Sequence, residues 1–235
     1  MNNDLGILIL SCDKFCDLWK PYFSLFWKYY DGPSQVYLGS NSVIFQDDNI
    51  KTIYSGEDID WSTSCRNILK QIPNKYILLL LEDIFITSKI DTDRITQHLQ
   101  YMKENKARHI HLVPTPKPDK WIMNREIGVY EKGAPYRVNV VGYWDKEYLL
   151  RLLLDGESAW DFEIKGSYRT VYDDGFYCLQ KPLFSTLHVL EKGRWLPEAV
   201  NYSKEHNISL EIEKRPILSS LNSLKSHLQE YYFNL

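Results

Sequence analysis

The residues most able to do chemistry are carboxylates set against apolar sequence. Glu82 and Asp83 follow directly on the apolar run Tyr76-Ile77-Leu78-Leu79-Leu80-Leu81. Two like charges at the end of a dry strand raise each other's pKa, and a divalent cation relieves the repulsion. Mg²⁺ or Mn²⁺ prefers oxygen ligands and shares them readily with a diphosphate. The plain alternative is a pair of carboxylates capping the next element, 84–87. Trp160-Asp161-Phe162-Glu163 sets two more acids beside large rings. A carboxylate held against aromatic surface is partly desolvated, its pKa rises, and it suits a general base. The competing reading puts both rings in the core and both acids in water. A third cluster is His188 with Lys192, Gly193, Arg194 and Trp195. Lys192 and Arg194 have the charge to neutralise a diphosphate, and His188 has the chemistry of a metal ligand or of a hydrogen-bonded strand residue. His109 and His111 alternate, so they share one strand face; with no third ligand evident they are read as structural or solvent-facing.

These groups need elements to hold them. Leu5–Leu10 is a continuous apolar run, as in a parallel strand buried on both faces. It ends in Ser11-Cys12-Asp13. Phe15, Trp19, Tyr22, Phe23, Phe26 and Tyr30 then recur at helical spacing, with Pro21 predicting a kink or restart and Asp31-Gly32-Pro33 a stop. Gln35–Leu38 and Lys51–Tyr54 read as strands, the first followed by Gly39-Ser40-Asn41. Trp61, Cys65, Ile68, Leu69 and Ile72 mark a helix ending before Pro73, and Tyr76–Leu81 is the strongest strand. A helix carrying Ile95, Leu99 and Met102 leads to a strand over 109–113. Strand and helix therefore alternate through residues 5–113, which predicts an α/β fold: an open, mostly parallel sheet with helices on both sides.

After Pro114 the pattern loosens. Residues 114–135 read as loop, with a hairpin around Lys132-Gly133, and 114–136 are expected to act as a lid or acceptor-side loop. Residues 137–141 read as a strand, Asp145 as the start of a helix with Tyr148, Leu149 and Leu152, residues 183–190 as a late strand, and 216–232 as a C-terminal helix. The whole chain, 1–235, is expected to form a single domain: a binding half over 1–113, a catalytic half over 114–200 and a helical annex over 201–235. In open α/β sheets, ligands bind beyond the carboxyl ends of the strands. That rule singles out Ser11-Cys12-Asp13, Gly39-Ser40-Asn41 and Glu82-Asp83.

Composition narrows the classes. Lys and Arg number 28 against 31 Asp and Glu, a net charge of −3, so the chain is not built to coat nucleic acid. Cys12 and Cys16 are spaced C-x3-C with no second close pair, so no zinc-type set is formed. The start Met1-Asn2-Asn3-Asp4 has neither the basic nor the apolar region of a signal peptide, which predicts a cytoplasmic chain with reduced thiols. GxGxxG, P-loop, HExxH and GxSxG patterns are all missing, which excludes the enzymes that carry those fingerprints. The aromatic segment 19–30 and the leucine-bearing C-terminal helix are read as core, with docking to a partner chain or the inner-membrane face as the alternative. Aromatics make up 14% of the chain, an excess that suits the flat C–H faces of sugars or simply a Tyr-rich core.

Taken together, Ser11-Cys12-Asp13, the Trp61-Ser62 helix entry, Tyr76–Asp83 and Ser158–Glu163 resemble bacterial GT-A glycosyltransferases of capsule and lipopolysaccharide synthesis, over roughly residues 5–195. The resemblance implies a Rossmann-like GT-A fold, a nucleotide-sugar donor, a saccharide or lipid-linked acceptor, and work at the cytoplasmic face of the inner membrane. It places Ser11 and Asp13 near the nucleotide base and Glu82 and Asp83 at the strand-end acid motif, with Mn²⁺ or Mg²⁺ on Asp83 and a late histidine, His188, completing the metal shell. Glu163 or Asp161 matches the catalytic base of an inverting displacement, and Lys192 or Arg194 aids the leaving diphosphate. Glu82-Asp83-Ile84-Phe85 departs from the family's DxD letters, which leaves the metal open. Two other readings stand beside this one. A sugar-nucleotidyltransferase would carry a glycine-rich basic loop after the first strand, where this chain has Ser11-Cys12-Asp13-Lys14. A non-catalytic binding module of a polysaccharide assembly complex would leave the carboxylates scattered.

Overall fold

Strands that are apolar at every position need cover on both faces, and the chain supplies it with a central sheet. The computed structural model describes residues 4–219. Its elements run β1 (Leu5–Leu10), α1 (Cys16–Tyr29), β2 (Gln35–Ser40), β3 (Ile50–Tyr54), α2 (Trp61–Leu69), β4 (Tyr76–Leu81), β5 (Ile84–Ile86), α3 (Thr92–Asn105) and β6 (His109–His111). Then come β7 (Lys120–Ile122), β8 (Ile127–Tyr130), β9 (Gly142–Asp145), α4 (Lys146–Leu152), α5 (Ala159–Arg169), β10 (Phe176–Leu179), β11 (Thr186–His188), β12 (Leu190–Glu191), β13 (Arg194–Trp195) and α6 (Pro197–Glu205). They divide into two compact units. The first holds residues 4–13, Gly32–Leu81 and Asp91–Leu183; the second holds Lys14–Asp31, Glu82–Ile90 and 184–219. Each draws on early, middle and late sequence, so neither is a continuous half. Among the described residues no helix is long and apolar enough to cross a membrane.

The first unit is an α/β layer structure. Its nine strands lie in the order β3-β2-β1-β4-β9-β6-β10-β8-β7. β8 and β9 run against the other seven, so the sheet is mostly parallel, as the alternating pattern predicts. One face carries Leu8, Leu10, Ile77, Leu79, Trp144 and Phe176, packed with Cys65 and Ile68 of α2, Leu149 of α4 and Phe162 of α5. On the other face, His98 and Tyr101 of α3 meet Tyr143 and Tyr177, with ring centroids 5.5 and 5.2 Å apart. Asp60, Asp91, Asp145 and Ser158 each cap a helix of this unit with a side-chain oxygen on a backbone N–H.

Two sequence expectations change here. Residues 114–135 are not all loop: β7 and β8 form a hairpin that adds the sheet edge next to β10. The turn lies at 123–126 rather than at Lys132-Gly133, with Met123, Asn124 and Arg125 all at positive φ. Residues 137–141 precede a strand instead of forming one. The Val138 N–H donates to Ser167 Oγ (3.1 Å) and the Val140 N–H to Glu163 Oε1 (2.9 Å), so α5 side chains take the bonds that a neighbouring strand would need. β9 begins only at Gly142, which has φ +151° and sits between β4 and β6. A Cβ there would stand 2.5 Å from the Ile110 carbonyl oxygen. Gly142→Ala is therefore expected to cost about 1–3 kcal/mol through a clash with backbone that cannot give way. A denaturant midpoint unchanged from wild type would refute this.

In the second unit, α1 runs through Pro21 without a break. Trp19, Tyr22, Phe23, Phe26 and Tyr30 are all buried, so the 19–30 stripe is core and not a docking face. β11 pairs antiparallel with β5, and the late strand expected over 183–190 is split into β11 and β12. β12 and β13 form a hairpin whose two turn residues, Lys192 (φ 49°) and Gly193 (φ 75°), both have the positive φ of a type I′ turn. Trp195 is fully buried and pairs with 216–218 through its own N–H to the Pro216 carbonyl (3.0 Å) and the Leu218 N–H to its carbonyl (2.8 Å). The first residues of the expected C-terminal helix are thus extended, and the rest of it lies outside the described residues. The Arg215 guanidinium is buried against Asp17: Nε donates to Oδ2 and Nη2 to Oδ1, each at 2.7 Å.

Candidate functional site

The carboxyl ends of β1, β2 and β3 are tied into one polar ledge. Asp13 Oδ1 accepts from the backbone N–H groups of Asn41 (3.0 Å), Ser42 (3.1 Å) and Val43 (3.1 Å), and Oδ2 accepts from Ser42 Oγ (2.6 Å). Three successive N–H groups converging on one carboxylate form an anion nest that the protein fills itself. Burial raises the Asp13 pKa, but the bonds from Ser42, Val43 and Asn41 outweigh it, and the carboxyl lies below its ordinary value. Asn41 continues the ledge: Nδ2 donates to Ser55 Oγ (3.0 Å), and the Ser55 N–H returns to the Ser40 carbonyl (2.8 Å). Ser11 is buried beside it, its N–H bonded to the Gly39 carbonyl (3.2 Å). The surface left for a ligand here consists of the ledge's outer polar atoms, with Asp13 as its keystone.

Glu163 stands on the same edge of the sheet. Gly142 pairs with His111, the last residue of β6, and with Leu79 near the end of β4, so residues 138–141 leave the sheet at the carboxyl ends of those strands. There the Val140 N–H holds Glu163 Oε1. Among the described residues, Oε2 has no hydrogen bond. Burial raises the Glu163 pKa, and the Val140 bond offsets only part of the rise. A half-buried carboxylate with one oxygen fixed and the other free has the geometry of a proton acceptor. Asp161 is differently employed. It closes a capping box with Ser158 and pairs with Lys165 at 2.8 Å. The Lys165 and Ser158 bonds pull its pKa down to about 2, a poor value for a base. The pattern Ser158-x-x-Asp161 is the capping-box signature, a signal that the sequence carried.

Behind this edge lies a buried group that sequence reasoning left undefined. His109 stacks on Trp144 (3.8 Å) and its Nδ1 lies 2.9 Å from the Tyr143 carbonyl oxygen. His111 Nε2 lies 3.0 Å from the Arg137 carbonyl oxygen. Burial lowers both pKa values, His111 to about 4, so both rings are neutral and structural. Arg137 is fully buried, donates to the Glu131 (2.8 Å) and Asp173 (2.5 Å) carbonyls, and covers the Phe176 ring at 4.0 Å. This set fixes the segment around Arg137–Val140, whose Val140 N–H holds Glu163.

The second unit holds the other sequence candidates. Glu82 is buried and Asp83 half-buried at the start of β5. The β5–β11 register sets His188 opposite Ile84, and the Val189 N–H donates to the Asp83 carbonyl (2.9 Å). Burial raises the Asp83 pKa while the nearby His188 charge lowers it, with burial the larger effect. Among the described residues the buried Tyr22 hydroxyl meets no hydrogen-bond partner, and burial together with the charges of Glu82 and Asp83 pushes its pKa up. Among the described residues, no three His, Cys, Asp or Glu side chains converge on a metal position. His188 lies near enough to Asp83 for its charge to act on that carboxyl. A carboxylate with an imidazole beside it suits Mn²⁺ better than Mg²⁺, which takes oxygen ligands, and either ion would need water and substrate oxygens for its other positions. Lys192 and Arg194 are exposed on the β12–β13 hairpin.

No family model matches the chain, and no curated protein matches it. Among solved structures it is similar to TarS residues 1–349 of S. aureus in complex with UDP-GlcNAc, at 12% identity over 79% of this chain and 60% of that one, with a TM-score of 0.44. It is also similar to a cytidylyltransferase from Leptospira borgpetersenii serovar Hardjo-bovis, at 11% identity over 87% of this chain and 95% of that one, with a TM-score of 0.48. The chain thus spans about 60% of the TarS 1–349 chain. The reading of function rests on the residues of the chain itself.

Proposed function

We propose that the chain is a nucleotide-sugar-dependent glycosyltransferase of the GT-A type that acts by inverting displacement. The observation that carries this reading is Glu163. It is a partly desolvated carboxylate with one oxygen pinned and one free, on the sheet edge where the Ser11–Asp13 and Asn41–Val43 ledge is preformed. In this reading an acceptor hydroxyl gives its proton to Glu163 Oε2, and the hydroxyl oxygen bonds to the anomeric carbon. The bond from that carbon to the nucleotide diphosphate breaks, and its electron pair leaves with the diphosphate. Ser11 and the ledge around Asp13 are assigned the nucleoside. Glu82, Asp83, Lys192 and Arg194 are the proposed donor-side residues, and Asp83 with His188 the proposed cation holders. A divalent ion, when bound, supplies charge neutralisation to a leaving diphosphate. The acceptor proposed is a saccharide or lipid-linked saccharide. The loop after β1 supports this reading over a nucleotidyltransferase, because it contains no glycine and is closed by Asp13 on residues 41–43.

The test is a melting-temperature panel with UDP-, GDP-, dTDP- and CMP-sugars, each with Mn²⁺ and with EDTA. A ligand at about 100 times its Kd stabilises by about 2.7 kcal/mol. One nucleotide class is expected to raise the midpoint, and the rise is expected to vanish with EDTA and in Asp83→Ala. A rise that survives EDTA removes the cation but keeps the transferase. No rise with any sugar nucleotide overturns the reading in favour of a binding module.

A further inference from the structure

An exposed aromatic stripe runs along α5, the helix that carries Glu163. Trp160 is 76% exposed, Ile164 43% and Tyr168 76%, and Tyr172 in the following turn is 84% exposed. The first three sit at i, i+4 and i+8, so they share one helix face with a rise of about 6 Å between neighbours. The core of the unit is served by the opposite side of α5, through Phe162 and Gly166. A large Trp and a Tyr kept in water on one helix face, with a second exposed Tyr in the turn after it, suggest a partner.

We propose that this stripe is a binding surface for a neutral saccharide chain, and that it seats the acceptor of the reaction assigned above; the acceptor role rests on that assignment. Three properties select a saccharide. Both cations of α5 are paired, Lys165 with Asp161 (2.8 Å) and Arg169 with Glu157 (2.8 Å), and so is Lys132 with Asp174 (3.0 Å), two residues after Tyr172. A surface so balanced has no excess cation for an anionic bilayer or a polyanion, whereas its paired polar groups suit hydroxyls. The apolar area is also small. Four such side chains offer roughly 500–600 Å² when fully covered, short of the roughly 800 Å² per partner of a stable protein interface. The rings of Trp160 and Tyr168 stand about 12 Å apart along the helix with the apolar Ile164 between them, a track long enough for the C–H faces of more than one pyranose. Trp160 lies three residues before Glu163, hence on the neighbouring helix face, so the Trp160 end of the stripe is the end nearest the proposed base.

The experiment compares the full chain with Trp160→Ala/Tyr168→Ala. Maltohexaose, cellohexaose, chitohexaose and mannohexaose are titrated by calorimetry, and the sugar-nucleotide melting shift is read on the same proteins. At least one hexasaccharide is expected to bind wild type, with affinity falling about tenfold for each ring removed, while the double variant keeps its melting temperature and nucleotide shift. The proposal is overturned if no hexasaccharide binds wild type or if the double variant binds as well as wild type. It is overturned equally if the double variant's only loss is pelleting with phosphatidylcholine–phosphatidylglycerol vesicles or self-association in sedimentation. Hexasaccharide binding without any nucleotide shift keeps the surface and removes the transferase; a nucleotide shift without hexasaccharide binding does the reverse.

Discussion

Glu163→Gln is expected to lower turnover about 10²–10⁴-fold, the usual contribution of a positioned general base. The amide keeps the size of the side chain, and its oxygen can still accept from the Val140 N–H. What it loses is the ability to take a proton. The stability of the variant is expected to move the other way. Burial raises the folded-state pKa of Glu163, so the native state binds its proton more tightly than the unfolded chain does. Stability therefore falls as pH rises from the unfolded value through the folded one, and the full penalty is present above the folded value. Glu163→Gln removes that penalty: it is expected to be at least as stable as wild type at pH 8, with no advantage at pH 4, where both states of the wild-type carboxyl approach full protonation. The kinetic assay uses the donor identified by the melting panel. Turnover within about threefold of wild type, well short of the loss expected for a base, would remove Glu163 from the mechanism. Asp161→Asn, which alters a capping box instead, is the natural control.

The second large effect concerns stability alone. Asp17→Ala leaves the Arg215 guanidinium buried without its carboxylate, and arginine does not shed its charge. Arg215 also donates from Nη2 to the Lys14 carbonyl (2.7 Å) and covers the Phe15 ring at 4.7 Å, so it is held in place and not free to swing into water. Removing one member of such a pair costs about 3–5 kcal/mol, a large part of a typical domain's 5–15 kcal/mol. Chemical denaturation reads this directly. The paired replacement Asp17→Leu/Arg215→Met is expected to recover much of the loss, since no charge is then left buried. A single variant costing less than about 1 kcal/mol, the range of a surface pair, would show that the pair does not hold the segment around Arg215 to α1.

The parts of the fold legible in the sequence are those whose burial is symmetric. Leu5–Leu10 and Tyr76–Leu81 are apolar throughout because both faces are covered, and that pattern has few other readings. Residues 137–141 misled for the opposite reason. Val138, Val140 and Val141 have strand chemistry, yet two of their N–H groups are satisfied by Ser167 and Glu163, more than twenty residues downstream. The β7–β8 turn was hidden because its three left-handed residues include no glycine, whereas Lys132-Gly133 advertised a turn. The boundaries of the two units fall within motifs that read as continuous, between Asp13 and Lys14 and between Leu81 and Glu82. At the site, the sequence offered both Glu163 and Asp161 as bases, with Glu163 first. Their separation follows from which side of α5 faces the core, and a capping signature was the one local clue.

The position of β9 has a consequence for how the protein is made. β1 to β4 bring together segments from the first 81 residues, but β4 and β6 meet only through Gly142–Asp145 laid antiparallel between them. While the chain emerges from the ribosome, Tyr76–Leu81 is complete some sixty residues before its second neighbour exists. During that interval one of the most apolar segments of the chain is an open sheet edge, with unpaired N–H and carbonyl groups and no charge to discourage a neighbouring nascent chain. The closing strand ends in Asp145, whose carboxylate also starts α4 by accepting from the Tyr148 N–H. Sealing the edge and nucleating the helix that covers it are thus a single event in biosynthesis, and the period before it is when the chain depends most on a chaperone.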